Sequence, residues 1–270
     1  VRHQRRRRST RVIRGLCRFF MTVRAAATLQ RSGKGAMHPS ISYPEWQKIL
    51  QEGAACFGGP LSERQIRLLY RHGQMLQRWN RTTNLTAIRD PRMMALKHFV
   101  DSFGAARHFT PVGRVLDVGS GGGFPGLPLK IVCPSIELTM VDAARKKVSF
   151  LQHVIRELEL KGARAVQARV EELARQADAP FHYDTIVCRA FGSLASIVAQ
   201  LPPLLSERGR IVVWKGRLPH EEIREVEPVL STVKRALTLS VQSYRLPITE
   251  AERTLVILSA GGHDPKEPRP

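Results

Sequence analysis

Asp117 lies near the end of an apolar run, Arg114-Val-Leu-Asp-Val118, and five glycines follow in the eight positions from Gly119 to Gly126. A second apolar run ends in Asp142, 23 residues beyond Gly119. Glycines let a strand-to-helix turn pass close beneath a ligand, and a carboxylate at the next strand tip can accept hydrogen bonds from ribose hydroxyls. The pair points to a nucleoside-bearing cofactor. Gly121-Gly-Gly-Phe-Pro-Gly126 satisfies the dinucleotide fingerprint G-x-G-x-x-G, but its register does not suit NAD. Gly119 already occupies the first glycine's place, and counting from it puts Phe124 where a third glycine should permit close helix–strand contact. Pro125 and Pro128 also remove N–H donors from the helix start that a pyrophosphate needs. S-adenosylmethionine has no phosphate and carries an amino-acid moiety. For it, Asp117 is expected to take the ammonium, Gly119 and Gly121 to admit the tail, and Asp142 to hold the ribose.

Later segments add candidates. Ala168-Arg-Val-Glu-Glu172 follows a third apolar run. There Val170 could pack on an adenine face, or the segment could simply cap the next helix; both readings stay open. After a fourth run comes Val187-Cys-Arg-Ala-Phe191, with no Asn/Asp-Pro-Pro-aromatic tetrapeptide, which argues against methylation of an exocyclic base amine. Cys188 reads as a core thiol in preference to a nucleophile. Arg189 is costly to place at a sheet mouth without a carboxylate or phosphate partner; it could bind cofactor, phosphate or the purine edge, or form an ion pair with Glu171 or Asp142. A nucleophile with its own lone pair, such as guanine N7, needs no general base, so catalysis there is positioning and electrostatics. The sequence accordingly offers no acid/base constellation.

Elements that could place these residues are legible in the hydrophobic rhythm. Ser62-Glu-Arg-Gln65 has capping-box spacing, and Ile66, Leu69, Leu76 and Trp79 follow at helical intervals. Residues 44–57 form a shorter helix, and Asp90-Pro91 opens a third with Met94, Phe99, Val100 and Phe103 on its apolar side. Strands are expected at 114–118, 136–141, 163–168, 183–188, 210–214, 239–245 and 253–259, with helices notably at 144–160 and 192–205. Five βα units and two closing strands make a doubly wound α/β domain. The expected organisation is a basic extension over 1–36, a helical unit over 37–110, the α/β domain over 111–260 and a disordered tail over 261–270.

The chain has a net charge of +20, which suits a polyanionic partner, but residues 1–36 alone hold eleven of the 43 Lys and Arg and no acid. The remainder still carries 32 basic against 23 acidic residues, favouring a nucleic acid. The extension reads as a transit-like peptide, a nucleic-acid-binding arm, or the translation of an upstream start with Met37 as the true first residue; the last is preferred. Cys17, Cys56, Cys133 and Cys188 lack metal-ligand spacing, so reduced thiols, a cytoplasmic location and no metal site are expected. No apolar stretch approaches a membrane span.

Across residues 45–260 the chain resembles the bacterial small-subunit ribosomal RNA guanine-N7 methyltransferases, formerly called glucose-inhibited division protein B. The resemblance is carried by Arg78-Trp-Asn-Arg-Thr-Thr-Asn-Leu-Thr86, His98-Phe-Val-Asp-Ser102, Leu116-Asp-Val-Gly-Ser-Gly-Gly-Gly-Phe-Pro-Gly-Leu-Pro128, Val141-Asp142 with Lys146-Lys147 and Phe150-Leu151, Arg169-Val-Glu171, Arg189-Ala-Phe191 and Lys215-Gly216. It implies a Rossmann-like, seven-stranded class I methyltransferase domain. It also implies transfer from S-adenosylmethionine to guanine N7 of 16S rRNA, within a small subunit or its precursor, by a protein expected to be a monomer. Gly119, Phe124, Val170, Glu171 and Arg189 are implied cofactor contacts. His98, Asp101 and Arg189 are expected to position the reactants, and Lys146, Lys147 and Lys215 to meet RNA. Asn80 and Asn84 are expected to organise the helical unit against the cofactor loop. Thr83, where the family commonly has tyrosine, and Ala143, where it often has serine, depart from the pattern. The competing readings are an NAD-linked oxidoreductase and a non-catalytic RNA-binding or ribosome-assembly protein.

Overall fold

The computed structural model describes residues 41–57, 59–104, 108–175, 182–216, 220–233 and 235–261. The expectations for 1–36 and for the tail beyond 261 lie outside the described residues. Helix α1 (Tyr43–Phe57) and helix α2 (Glu63–Thr83) open the fold. The α2 start is the capping box read from the sequence: Ser62 Oγ accepts the Gln65 N–H, and Gln65 Oε1 accepts the Ser62 N–H at 2.8 Å. Gly73, on the buried side of α2, has no room for a Cβ, which would meet the Trp46 ring at 2.6 Å. That close approach seats Trp46 under α2.

Helix α3 (Pro91–Met94) is capped by Asp90, whose carboxylate accepts the Met93 N–H at 2.8 Å. It widens into a π-helical segment (Ala95–Val100) and returns to α geometry in α4 (Asp101–Gly104). The π segment is a local departure from the plain helix that the apolar spacing predicts. Such widenings recur at functional sites, and this one carries Lys97 and His98.

From β1 (Arg114–Val118) onward the chain alternates: α5 (Gly126–Val132), β2 (Glu137–Asp142), α6 (Arg145–Glu157), β3 (Ala163–Gln167), α7 (Val170–Arg175), β4 (Tyr183–Arg189) and α8 (Leu194–Gln200). A 3-10 turn (Pro202–Leu204), β5 (Leu205–Lys215), α9 (His220–Thr232), β6 (Leu237–Arg245) and β7 (Glu252–Ala260) complete it. The seven-stranded sheet has the order β3-β2-β1-β4-β5-β7-β6, with β7 antiparallel to both neighbours and the first five strands parallel. This is the doubly wound α/β fold expected of a class I methyltransferase.

Alternation along the strands divides the core. Val115, Val187 and Val212 face one cluster, and Leu116, Ile186 and Val213 face the other. The first cluster is continuous from Trp46, Leu69 and Phe99 of the leading helices to Leu127 and Phe150 beside the sheet. The helical unit therefore shares its core with one face of the sheet, which fixes α2 and the π segment over the glycine turn. Among the described residues no helix is long and apolar enough to cross a membrane.

Candidate active site

The glycine turn emerges from β1 and is pinned to β2: Val141 O accepts the N–H of Gly119 at 2.8 Å and of Ser120 at 3.2 Å. Gly119 has φ +70°, and a Cβ there would lie 3.0 Å from the Phe191 ring. Gly121 has open space above it, nothing but Gly119 O coming as near as 3.9 Å to its notional Cβ. Asp142, at the tip of β2, accepts the Gly121 N–H at 3.1 Å and the Ala144 N–H at 2.9 Å. The strand tip and the glycine turn thus form one cradle.

Asp117 is fully buried beneath that turn. Its Oδ2 accepts the Gly126 N–H at 2.9 Å, while Oδ1 has no hydrogen-bond partner. Burial drives its pKa up to about 7, against the opposing pull of the Gly126 hydrogen bond. The carboxylate expected to meet a ligand's ammonium commits one oxygen, Oδ2, to the first residue of α5 and leaves Oδ1 unpartnered. There it fills the helix start that a pyrophosphate would need.

Phe124 is buried and stacks near-parallel to two imidazoles, His98 at 4.6 Å and His72 at 5.1 Å between centroids. His72 is fully buried, with Nε2 2.9 Å from Gly122 O, so its Nε2–H donates to the turn. His98 Nδ1 lies 2.7 Å from Arg189 Nη2, and a guanidinium only donates, so Nδ1 accepts and Nε2 carries the proton. That Nε2–H reaches Thr86 Oγ1 at 2.7 Å. Burial, reinforced by Arg189, holds the His98 pKa well below its ordinary value of 6.5. Thr86 is itself fixed by Asn80, which bonds both its N–H and its C=O at 2.9 Å, and Asn84 ends α2 in a left-handed cap.

Arg189, at the end of β4, donates to Lys97 O at 3.0 Å and to Asp101 at 3.5 Å, with its guanidinium 5.2 Å from the Phe124 centroid. Its ion-pair partner is Asp101, in place of the Glu171 or Asp142 pairing considered from sequence. Asp101 is a buried hub: Tyr244 donates to it at 2.7 Å and Arg253 lies at 3.3 Å. Trp214 Nε1–H also donates to its backbone carbonyl at 3.0 Å. Sequence reasoning missed His72, Tyr244 and Arg253. His72 had a usable signal, three residues after Leu69 on the apolar face of α2.

These features coincide with a family. The sequence profile of rRNA small subunit methyltransferase G matches residues 65–254. The chain belongs to this family. "Ribosomal RNA small subunit methyltransferase G" of Geobacter sp. (strain M21) is 41% identical over 212 residues, covering 78% of this chain and 96% of that protein. The protein so named from Geobacter sulfurreducens is 40% identical over 209 residues, 77% of this chain and 95% of its own length. That from Acidovorax sp. (strain JS42) is 36% identical over 231 residues, 81% and 97% of the two chains.

Within this member of the family, the remaining expected site residues are more dispersed. Val170 is buried at the start of α7, and Glu171 beside it is exposed. Lys146 is exposed on α6, whereas Lys147 Nζ lies 3.5 Å from Asp142. Lys215 is tied to Glu222 at 2.6 Å and to Gly192 O at 3.1 Å. The orphaned Asp117 Oδ1, the open turn at Gly121 and the carboxylate at Asp142 fit a nucleoside cofactor with a cationic, phosphate-free tail. Cys188 is fully buried, and burial pushes its thiol far up from the ordinary range, so it is no nucleophile.

Proposed function

We propose that this chain transfers the methyl group of S-adenosylmethionine to N7 of a guanine in 16S rRNA, in the cytoplasm, as a monomer acting on a small subunit or its precursor. The observation that carries the reading is the cradle of Gly119, Gly121 and Asp142 beside a neutral, fully engaged His98, in a chain of the rRNA small subunit methyltransferase G family. Bound there, S-adenosylmethionine supplies an electrophilic methyl group. Guanine N7 offers an in-plane lone pair and no proton, so this reaction asks the protein for position and not for a base.

The side chains suit that division of labour. Both nitrogens of His98 are committed, one to Arg189 and one to Thr86, so it orients its neighbours without accepting a proton. Asp101, paired with Arg189 and Arg253 and accepting from Tyr244, fixes the guanidinium of Arg189. A guanidinium against the base would oppose the positive charge that N7 methylation creates. Arg189 is therefore assigned to an anionic group, the cofactor carboxylate or an RNA phosphate. Asp142 holds the ribose, Val170 and Glu171 border the adenine, and Lys146, Lys147 and Lys215 face RNA. An NAD enzyme is disfavoured because Asp117 already fills the α5 start. Labelled methyl transfer to small subunits and to naked rRNA, with chemical mapping of N7-methylguanine, tests the proposal. Label at another atom, or none in either substrate, would overturn it.

A further inference from the structure

A polar cavity of about 380 Å³ lies in the groove between α2 and α6, lined by Arg71, Gln74, Met75, Arg78, His153 and Glu157. None of these residues belongs to the cofactor cradle. Arg71 and Arg78 are exposed and seven residues apart, so their stems leave one face of α2 about 10 Å from each other. Arg71 is braced against α6 by a 2.9 Å hydrogen bond to Glu157 O. No hydrogen bond or ion pair among the described residues holds the Arg78 guanidinium. His153 is backed by Trp79, with ring centroids 5.4 Å apart.

Helix α6 runs from the site to the groove. Lys146 and His153 are seven apart on one stripe of α6, and Lys147 Nζ is 3.5 Å from Asp142. The six residues from Lys147 to His153 span about 9 Å of helix. The cavity therefore opens within two helical turns of the ribose-holding aspartate. Its chemistry is mixed: the Arg78 guanidinium and that of Arg71, which lies 3.9 Å from the Glu157 carboxylate, for phosphates, an aromatic ring for stacking, and the remaining Glu157 oxygen to accept from base N–H groups. Base edges are exposed in unpaired strands and hidden from side chains in the deep groove of an RNA duplex.

We propose that the α2–α6 groove seats unpaired RNA flanking the target guanosine, with phosphates on Arg71 and Arg78 and a base against His153. The proposal rests on the rRNA methyltransferase reading. The test measures binding of a short unpaired oligoribonucleotide and its duplex over a salt series, together with KM and kcat on small-subunit rRNA. Removing both arginines (R71A with R78A) should flatten the salt slope for the unpaired strand by about 1.4, at about 0.7 per phosphate contact. It should also raise KM several-fold while leaving kcat and S-adenosylmethionine affinity unchanged. His153→Ala should weaken unpaired-strand binding without altering the slope. Arg224→Ala, an exposed arginine on α9, is the charge control. An unaltered slope in R71A/R78A, a change that Arg224→Ala reproduces, or equal loss for the duplex overturns the groove. Because RNA binding is read directly, wild-type protein that binds RNA but transfers no methyl would sink the enzymatic reading separately.

Discussion

The most informative perturbation is at His72, which ties the turn to α2. Its folded pKa is pushed down to about 4 by burial, from an ordinary 6.5. The folded state thus refuses a proton that the unfolded chain accepts, and this contribution to stability is full above pH 6.5 and lost as pH falls toward 4. Linkage puts the loss between pH 7.5 and pH 5 at about 2 kcal/mol, and the whole of it at about 3 kcal/mol. Asp117 runs the other way. Its folded pKa of about 7 exceeds the ordinary 3.8, so stability rises on acidification from above pH 7 toward 3.8, by about 2–3 kcal/mol over the same window. In the wild-type profile these two contributions largely cancel, and His98, whose pKa burial also lowers, adds a further loss on acidification that both proteins share. His72→Phe removes the titration and leaves Gly122 O without its donor, costing about 1–3 kcal/mol at pH 7.5. Urea unfolding of both proteins should show that deficit shrinking by about 2 kcal/mol at pH 5. Parallel curves across the window would refute the burial argument.

Other expectations can be checked more quickly. Gly119→Val forces a β-branched residue to φ +70° against Phe191 and should abolish S-adenosylmethionine binding in calorimetry; a wild-type Kd would remove the turn from the site. Asp142→Ala deletes the acceptor for Gly121 and Ala144 as well as the ribose partner, and should weaken cofactor affinity by about 1–3 kcal/mol. Tyr244→Phe removes the 2.7 Å hydrogen bond to the Asp101 carboxylate and should cost about 1.5–3 kcal/mol in thermal or urea unfolding. A change below 0.5 kcal/mol would show that Arg189 and Arg253 alone hold Asp101.

β1, β2 and β4 were legible because buried parallel strands read as apolar runs bounded by turns. β5 was the exception, beginning at Leu205 where Ser206-Glu-Arg-Gly209 reads as a loop. A register irregularity between Tyr183 and Thr185 accommodates that polar start. The helix expected over 192–205 stops at Gln200, because Pro202 and Pro203 cannot donate and the chain tightens into a 3-10 turn. The glycine turn and Asp142 could be read locally because they act through backbone geometry. The Asp101 hub could not, since its partners stand 143 and 152 residues away with no shared periodicity. The burial of Asp117 was equally invisible, because one sequence pattern serves a carboxylate that faces a ligand and one that caps a helix.

The spread of the Asp101 hub along the chain has a consequence for the order of biosynthesis. A ribosome adding about 5–20 residues per second makes Asp101 some 7–30 seconds before Tyr244 and Arg253. Arg189 is made part-way through that interval, but until its end the Asp101 carboxylate lacks the Tyr244 hydroxyl and its second cation, Arg253. The last two strands therefore act as a completion step: the hub beneath Arg189 gains its full set of partners only when the antiparallel hairpin arrives.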